Sequence, residues 1–181
     1  MALDLSSHDY YQPPSGAIEA YIFHIQALKS AAANLQSMSN DSSVTLAFVC
    51  VQNAGRSQMS TAFAERERER RGLEDSVEII TGGTHPADSV HDEVVTVMQD
   101  HDIDLSDRTP REVSTEELES CDVVATMGCS TLELDAEDVD VRDWALEDPD
   151  GQNLDQVRAI RDDIEQRVKS LFDEVDTNGS Q

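Results

Sequence analysis

The chain has 181 residues, of which 38 are acidic and 13 are basic, so its formal net charge at pH 7 is −25. This charge argues against nucleic acid or anionic membranes as partners, because both are negatively charged. The acidic residues are spread along the chain, which predicts a salt-adapted protein: about 1 M salt shortens the Debye length to about 3 Å and screens their repulsion.

The three cysteines, Cys50, Cys121 and Cys129, do not suggest a disulfide framework, because their number is odd. No stretch is long and apolar enough to span a bilayer, and the N-terminus lacks the basic region of a secretory signal. These features predict a cytoplasmic protein with reduced thiols and no membrane partner.

Residues 1–43 form a leader that differs from the rest of the chain. Its first 16 residues are typical of irregular structure, whereas residues 17–35 have the spacing of an amphipathic helix. This leader is either a helical extension, which covers the domain or joins a second subunit, or an artefact of start choice, because Met38 is an alternative start. The apolar positions of the helix are Ile18, Tyr21, Ile22, Ile25, Leu28, Ala32 and Leu35.

From Val44 onward, apolar runs alternate with amphipathic segments, which predicts a parallel α/β sheet. The expected domain covers residues 44–175, and a disordered tail covers residues 176–181. The third predicted helix begins with a capping box, in which Ser114 and Glu117 bind each other's backbone amides. The predicted strands are residues 44–51, 77–83, 122–129 and 139–144. The predicted helices are residues 56–71, 89–103, 114–121 and 154–171.

The segment CVQNAGRS, residues 50–57, is the main candidate for chemistry. It places Cys50 at the end of the first strand and Arg56 at the start of the first helix. Amides of a helix N-terminus and of the loop before it form a concave anion site. In this field Cys50 should be largely a thiolate, and the planar fork of Arg56 can hold a tetrahedral oxyanion. The predicted oxyanion-binding residues are Val51, Gln52, Asn53, Ala54, Gly55, Arg56 and Ser57.

Three residues of this loop have more specific expected roles. Asn53 is expected to hydrogen-bond loop amides, and Gly55 to adopt a positive φ just before the helix. Ser57 is expected to donate a hydrogen bond to the thiolate. The alternative interpretation, a structural cysteine with a surface arginine, does not explain why the pair flanks a strand-to-helix turn.

The loop C-V-Q-N-A-G-R-S resembles the phosphate-binding loop of the low-molecular-weight protein tyrosine phosphatase fold. It is more similar still to the arsenate reductases on that fold. Residues 82–113, TMGC at 126–129 and DW-x-x-x-DP at 143–149 resemble further family segments, so the similarity runs over about residues 44–172. The resemblance implies a three-layer α/β sandwich with a four-stranded parallel sheet.

The same resemblance implies roles for residues outside the loop. Asp148, in its Asp-Pro pair, matches the general acid that protonates the departing oxygen. Pro149 stiffens the loop that holds this acid. Cys129 matches the second cysteine of the reductases, which attacks the arsenic-bearing thiol, releases arsenite and leaves a disulfide.

A third cysteine follows closely in the thioredoxin-coupled reductases, whereas residues 130–138 contain none. No bound cofactor is expected. An external thiol reductant is expected instead, which is thioredoxin, glutaredoxin or a low-molecular-weight thiol.

Three functions remain open at this level. The leading one is arsenate reduction, with Cys50 as nucleophile and Cys129 or an external thiol completing the reaction. The second is hydrolysis of phosphotyrosine or small phosphoesters by the same Cys50, Arg56 and Asp148. The third is a non-enzymatic oxyanion-binding regulator that docks through its leader. Cys129 and the low aromatic content, 4%, favour the reductase.

The remaining candidates have simpler interpretations. His85 and His91 are not part of a ligand cluster, so no metal site is predicted, and they fit a turn and a helix start. Cys121 fits a small core position. Trp144 is expected to pack at the rim of the site, and Thr84 to contact the loop.

Overall fold

The computed structural model describes residues 43–129, 134 and 138–178. The leader helix, the alternative start and the last three residues of the predicted tail lie outside these residues. The strands are β1 (Val44–Cys50), β2 (Val77–Gly83), β3 (Val123–Met127) and β4 (Asp140–Asp143). The helices are α1 (Arg56–Arg71), α2 (Asp92–Gln99), α3 (Thr115–Glu119) and α4 (Leu154–Asn178).

The four strands form one parallel sheet in the order β2-β1-β3-β4, which confirms the predicted fold class. Cys50 pairs with Gly83 of β2 on one side and with Met127 of β3 on the other. The chain leaves β1 towards β2 and later returns to β3 on the opposite side. The carboxyl end of β1 is therefore a topological switch point, where open α/β sheets bind ligands.

Alternation along β1 separates two apolar layers. Leu46, Phe48 and Cys50 face the larger cluster, which α1, α2 and α4 complete. Ala47 and Val49 face a smaller cluster, which includes Leu118 of α3. Because β1 is buried on both faces, it reads as a continuous apolar run. Helices thus cover both faces of the sheet, as the three-layer prediction requires.

Two helices differ in length from their predictions. Helix α2 covers only Asp92–Gln99, because the chain before it makes a turn against the loop after β1 and Asp102 adopts a positive φ of 59° after it. Helix α4 continues to Asn178, past the predicted start of the tail at residue 176. Val175 packs against the larger cluster, which gives the last turns of α4 a reason to remain helical.

The capping box at α3 forms only on one side. The Glu117 amide donates to Ser114 Oγ at 3.2 Å, as expected. The Glu117 carboxylate binds the Arg111 guanidinium at 2.7 Å instead of reaching back to the Ser114 amide. A charge-assisted pair outcompetes a neutral hydrogen bond, which accounts for the difference.

Candidate active site

The loop between β1 and α1 turns its carbonyl oxygens outward. The oxygens of Val51, Gln52 and Ala54 accept backbone hydrogen bonds from His85, Ala87 and His91 at 2.8–3.0 Å. These three donors belong to the segment between β2 and α2, which therefore acts as an outer brace.

The loop amides are left on the inner side of this turn. Within the described part of the chain, the amides of Gln52, Ala54 and Gly55 make no hydrogen bond. Asn53 has a positive φ of 50°, and such a left-handed residue in a turn makes a concave nest of amides. The first amides of α1 lie beside this nest, so the geometry suits a tetrahedral anion.

Asn53 is fully buried, and its side chain is satisfied at every polar atom. Its side-chain nitrogen, Nδ2, donates to Ser57 Oγ and to Thr81 Oγ1, both at 2.9 Å. Its oxygen accepts from Gln58 Nε2 at 3.2 Å and from the Arg111 amide at 3.0 Å. Asn53 therefore ties the loop to β2 and α1, and the expectation that it binds loop amides is wrong.

The hydroxyl oxygen of Ser57, Oγ, lies 2.9 Å from Cys50 Sγ. Ser57 Oγ accepts from the Asn53 side chain, and its single hydrogen can point at the sulfur. The backbone N–H of Asn53 donates to the same sulfur at 3.2 Å. Two donors thus converge on Cys50, which is 3% exposed and lies at the base of the loop.

The positive φ expected at Gly55 occurs at Asn53 instead, since Gly55 has a φ of −132°. Glycine is needed at position 55 for space. A Cβ atom there would lie 2.7 Å from Pro149 Cγ and 3.5 Å from His91 Cδ2. The absence of a side chain lets the Asp-Pro segment close directly over the loop.

Arg56 is buried, and its guanidinium joins the loop to the Asp-Pro segment. Its Nη2 atom binds Asp148 Oδ2 at 2.7 Å, and its Nη1 atom donates to the Leu146 carbonyl at 3.0 Å. Asp148 is 57% exposed at its side chain, so the carboxylate stands at the open side of the site. The fold therefore brings Cys50, Arg56 and Asp148, predicted from separate stretches, to one edge of the sheet.

Cys129 follows β3, two residues beyond the partner of Cys50, and is 7% exposed. Burial raises the pKa of the Cys129 thiol to about 11, with a further increase from nearby Cys50 and a decrease from Arg56. The side chain packs in the smaller cluster, on the face of the sheet opposite Cys50. Gly128 separates the two regions with a positive φ of 77°.

The other candidates fall around this edge. Trp144 is buried against Phe48, with ring centroids 5.8 Å apart. The Thr84 amide binds the Cys50 carbonyl at 3.3 Å, so it contacts β1 just before the loop. Cys121 lies in the smaller cluster, where its thiol donates to the Glu117 carbonyl at 3.3 Å.

Sequence reasoning missed two supporting residues, Thr81 and His91. Thr81 holds Asn53, and His91 Nε2 lies 3.0 Å from Gln52 Oε1. Thr81 is a polar residue inside the otherwise mostly apolar strand β2, and this is only a weak indication that its hydroxyl contacts the site. His91 lies at the start of α2, as expected, and its ring also contacts the loop, which its position in the sequence does not indicate. No group of three His, Cys, Asp or Glu side chains in the described residues could hold a metal ion.

Comparisons with known proteins agree with this site. The family model "Low molecular weight phosphotyrosine protein phosphatase" matches residues 45–181. A Halobacterium salinarum protein, provisionally named an arsenate reductase, is 80% identical over 76% of this chain and 96% of its own length. The glutaredoxin arsenate reductase of a Synechocystis species is 33% identical over 69% of this chain and 93% of its own length.

A solved structure described as an arsenate reductase in the phosphate-binding state shares the fold. The two structures superpose with a TM-score of 0.61, and their sequences are 28% identical. The match covers 73% of this chain and 98% of the solved one. The relative from Halobacterium also supports the predicted salt adaptation of this acidic chain. On the family match and on these similarities, the chain is an enzyme that belongs to the low-molecular-weight phosphotyrosine protein phosphatase family.

Proposed function

We propose that the protein is an arsenate reductase that uses Cys50 as its nucleophile. The thiolate attacks arsenic and a S–As bond forms, while one arsenate oxygen departs with a proton from Asp148, which acts in this step in its carboxylic acid form. Arg56 and the loop amides hold the remaining oxygens, where charge develops in the transition state. The side chain of Asp148 is 57% exposed and lies beside Arg56, which supports its proposed role as the proton donor.

A second thiol completes the reduction. Its sulfur attacks Cys50 Sγ, the S–As bond breaks, and the electron pair stays on arsenic, which leaves as arsenite. The two thiols lose two electrons and become a disulfide, so the step balances. Cys129 is the proposed second thiol within the chain.

The observation that carries this proposal is the position of Cys129. It lies after the strand that pairs with β1, close enough for Cys50 and Arg56 to affect its pKa. Its side chain starts on the opposite face of the sheet from Cys50, so attack requires a turn about Gly128. Glycine with a positive φ permits such a rotation.

The rim of the site favours a small oxyanion over an aryl ester. In the described part of the chain, the four aromatic side chains Phe48, Phe63, Trp144 and Phe172 are all buried, at 7% exposure or less. None of these rings can therefore stack on a tyrosyl group at the surface. Free arsenate needs no such contact.

An external thiol is needed to reduce the resulting disulfide, because arsenite carries away the two electrons that the cysteines lost. Residues 130–138 contain no third cysteine that could first take over the disulfide. The proposed donor is glutaredoxin, thioredoxin or a low-molecular-weight thiol. A relative named as a glutaredoxin arsenate reductase supports this class of partner. We place the reaction in the cytoplasm, where thiols stay reduced; within the described residues, no helix could cross a membrane.

One observation favours hydrolysis of small phosphoesters as a second function. A Cys129 thiol with a pKa of about 11 is almost entirely protonated at neutral pH, so it is a weak nucleophile. Water could then attack a phosphocysteine at Cys50, with Asp148 as the base.

The two functions are separated by one set of assays in concentrated KCl. Arsenate-dependent oxidation of glutaredoxin, thioredoxin and small thiols is measured beside aryl phosphate hydrolysis. Cys50→Ser should abolish both activities, and Cys129→Ser should abolish arsenate turnover alone. Cys121→Ser is the matched control, since it changes another buried thiol and should keep both. Phosphate hydrolysis without arsenate turnover in the wild type would refute the reductase.

A further inference from the structure

We propose that Glu93 is a positioning residue for Asp148, holding the Asp-Pro segment over the oxyanion loop. This inference rests on the proposed role of Asp148 as general acid. It concerns the first turn of α2, which touches both catalytic segments. Residues 148–152 are called the acid loop below.

Besides the ion pair with Arg56, the acid loop makes one contact with the oxyanion loop and one with α2. Pro149 packs against the bare Cα of Gly55, where a Cβ would come within 2.7 Å. The Gly151 amide donates to Glu93 Oε1 at 3.1 Å. The Pro149 contact limits how closely the acid loop can approach, and the Glu93 hydrogen bond limits how far it can withdraw.

Helix α2 is a firm base for this contact. Arg161 of α4, 6% exposed, donates to the Val97 carbonyl at 2.7 Å and binds Asp100 at 3.0 Å. Val94 and Met98 are fully buried in the larger cluster. Helix α2 is therefore anchored to α4 and to the core, so its first turn can serve as a fixed point for the acid loop.

The same turn also braces the oxyanion loop through His91. Its amide binds the Ala54 carbonyl, and its ring lies 3.0 Å from the Gln52 side chain. His91 occupies the N-cap of α2 but makes no side-chain cap bond, where Ser, Thr, Asp or Asn would stabilise the helix. The start of α2 thus lacks a side-chain cap, while it contacts both the oxyanion loop and the acid loop. A local departure from the usual sequence preference is typical of a functional position.

The consequence is a division of roles within this turn. His91 fixes the position of the oxyanion loop, and Glu93 fixes the position of the acid loop relative to it. Because acid catalysis needs the donor within hydrogen-bond reach of the leaving oxygen, a small displacement of Asp148 lowers the rate. Oxyanion binding depends on the amides and Arg56 and should change little.

The test compares Glu93→Ala, which removes the acceptor, with Glu93→Gln, which keeps an oxygen acceptor. Asp92→Asn is the control, because it removes one exposed charge from the same turn. Glu93→Ala should lower kcat about tenfold with KM within about twofold. Glu93→Gln should retain most of the rate, and Asp92→Asn all of it.

A double-mutant cycle with Asp148→Asn separates positioning from general loss of stability. If Glu93 acts through Asp148, Glu93→Ala should have no further effect on kcat in the Asp148→Asn background. Additive losses would overturn the inference. If Asp148→Asn itself keeps the full rate, the general-acid assignment fails instead. The cycle uses arsenate turnover or, if the wild type lacks it, aryl phosphate hydrolysis, since both reactions need the same acid.

Hydrogen exchange provides a readout that needs no activity. The Gly151 amide should exchange at least about tenfold faster in Glu93→Ala than in the wild type or Asp92→Asn, because its acceptor is lost. Unchanged exchange of this amide would overturn the inference, whatever the activities show.

Discussion

Arg56 and Asp148 form an ion pair of 2.7 Å between a guanidinium that is 8% exposed and a carboxylate that is 57% exposed. The pair joins the start of α1 to the acid loop. The other terminal nitrogen of Arg56, Nη1, donates to the Leu146 carbonyl. The planar guanidinium therefore binds both Leu146 and Asp148, which lie two residues apart in the same segment. Arg56 therefore holds the acid loop in addition to its proposed role in binding the oxyanion.

This dual role predicts a large effect of Arg56→Lys. A lysine keeps the charge but cannot reach two acceptors in one plane. We expect kcat/KM to fall about 100-fold or more, as when one donor to a developing oxyanion is lost. Steady-state assays at constant high salt measure the change. Arg167→Lys, in an exposed pair with Asp163, is the control and should keep the wild-type value. Near-normal turnover of Arg56→Lys would contradict the assignment.

The sequence pattern was sufficient to predict the order of strands and helices, because apolar periodicity reports which face of each element is buried. It also placed Cys50 and Arg56 on either side of one turn. It could not identify which loop residue takes the left-handed conformation. Asn53 and Gly55 both tolerate it. The need for glycine at position 55 comes instead from Pro149, which is distant in sequence and fills the space beside Gly55.

The partners of Asn53 were unpredictable for the same reason. Thr81 belongs to the neighbouring strand, and Arg111 to the segment that pairs with the end of β2. Hydrogen bonds between remote segments leave no periodic signal in the sequence. The resemblance to a family pointed to Asp148 and Cys129, whereas the contacts of Glu93 and His91 required the structure.

Gly55→Ala should damage the site through Pro149. The new methyl group would overlap Pro149 Cγ, so the acid loop must move away. We expect kcat to fall about 10- to 100-fold and the free energy of unfolding to fall by about 1–3 kcal/mol. Enzyme assays and urea unfolding measure the two effects. Gly72→Ala is the control: its φ of 67° is strained for alanine, but no atom lies within 4 Å. It should lose about 1 kcal/mol of stability and keep full activity.

Asn53→Ala should lower both stability and turnover. It leaves two donors and two hydroxyl acceptors in a buried network without their partner, which costs about 2–4 kcal/mol in free energy of unfolding. Asn53→Gly loses the same contacts but accepts the positive φ, so it should be about 1 kcal/mol more stable than Asn53→Ala. Both variants should lose kcat/KM to a similar extent, because Ser57 is no longer oriented towards Cys50. Equal stability of the two would show that the φ of Asn53 carries no cost.

The buried thiols predict a loss of stability at high pH. Burial, with the nearby carboxylate of Glu117, raises the pKa of Cys121 to about 11, and burial raises the pKa of Cys129 to the same value. A thiol whose pKa is raised by folding stabilises the protein below its unfolded-state pKa, near 9. That contribution is lost as pH rises through about 11.

The test is urea unfolding between pH 8 and 11 at constant KCl. The free energy of unfolding of the wild type should fall over this range, and part of the fall should be absent from Cys121→Ser. The difference between the two pH curves should reach about 1–3 kcal/mol by pH 11. Cys129→Ser should behave alike, since its thiol is comparably buried. Other groups that titrate here contribute equally to all three proteins and cancel in the difference. Parallel curves would mean that Cys121 ionises as readily in the folded protein as in the unfolded chain.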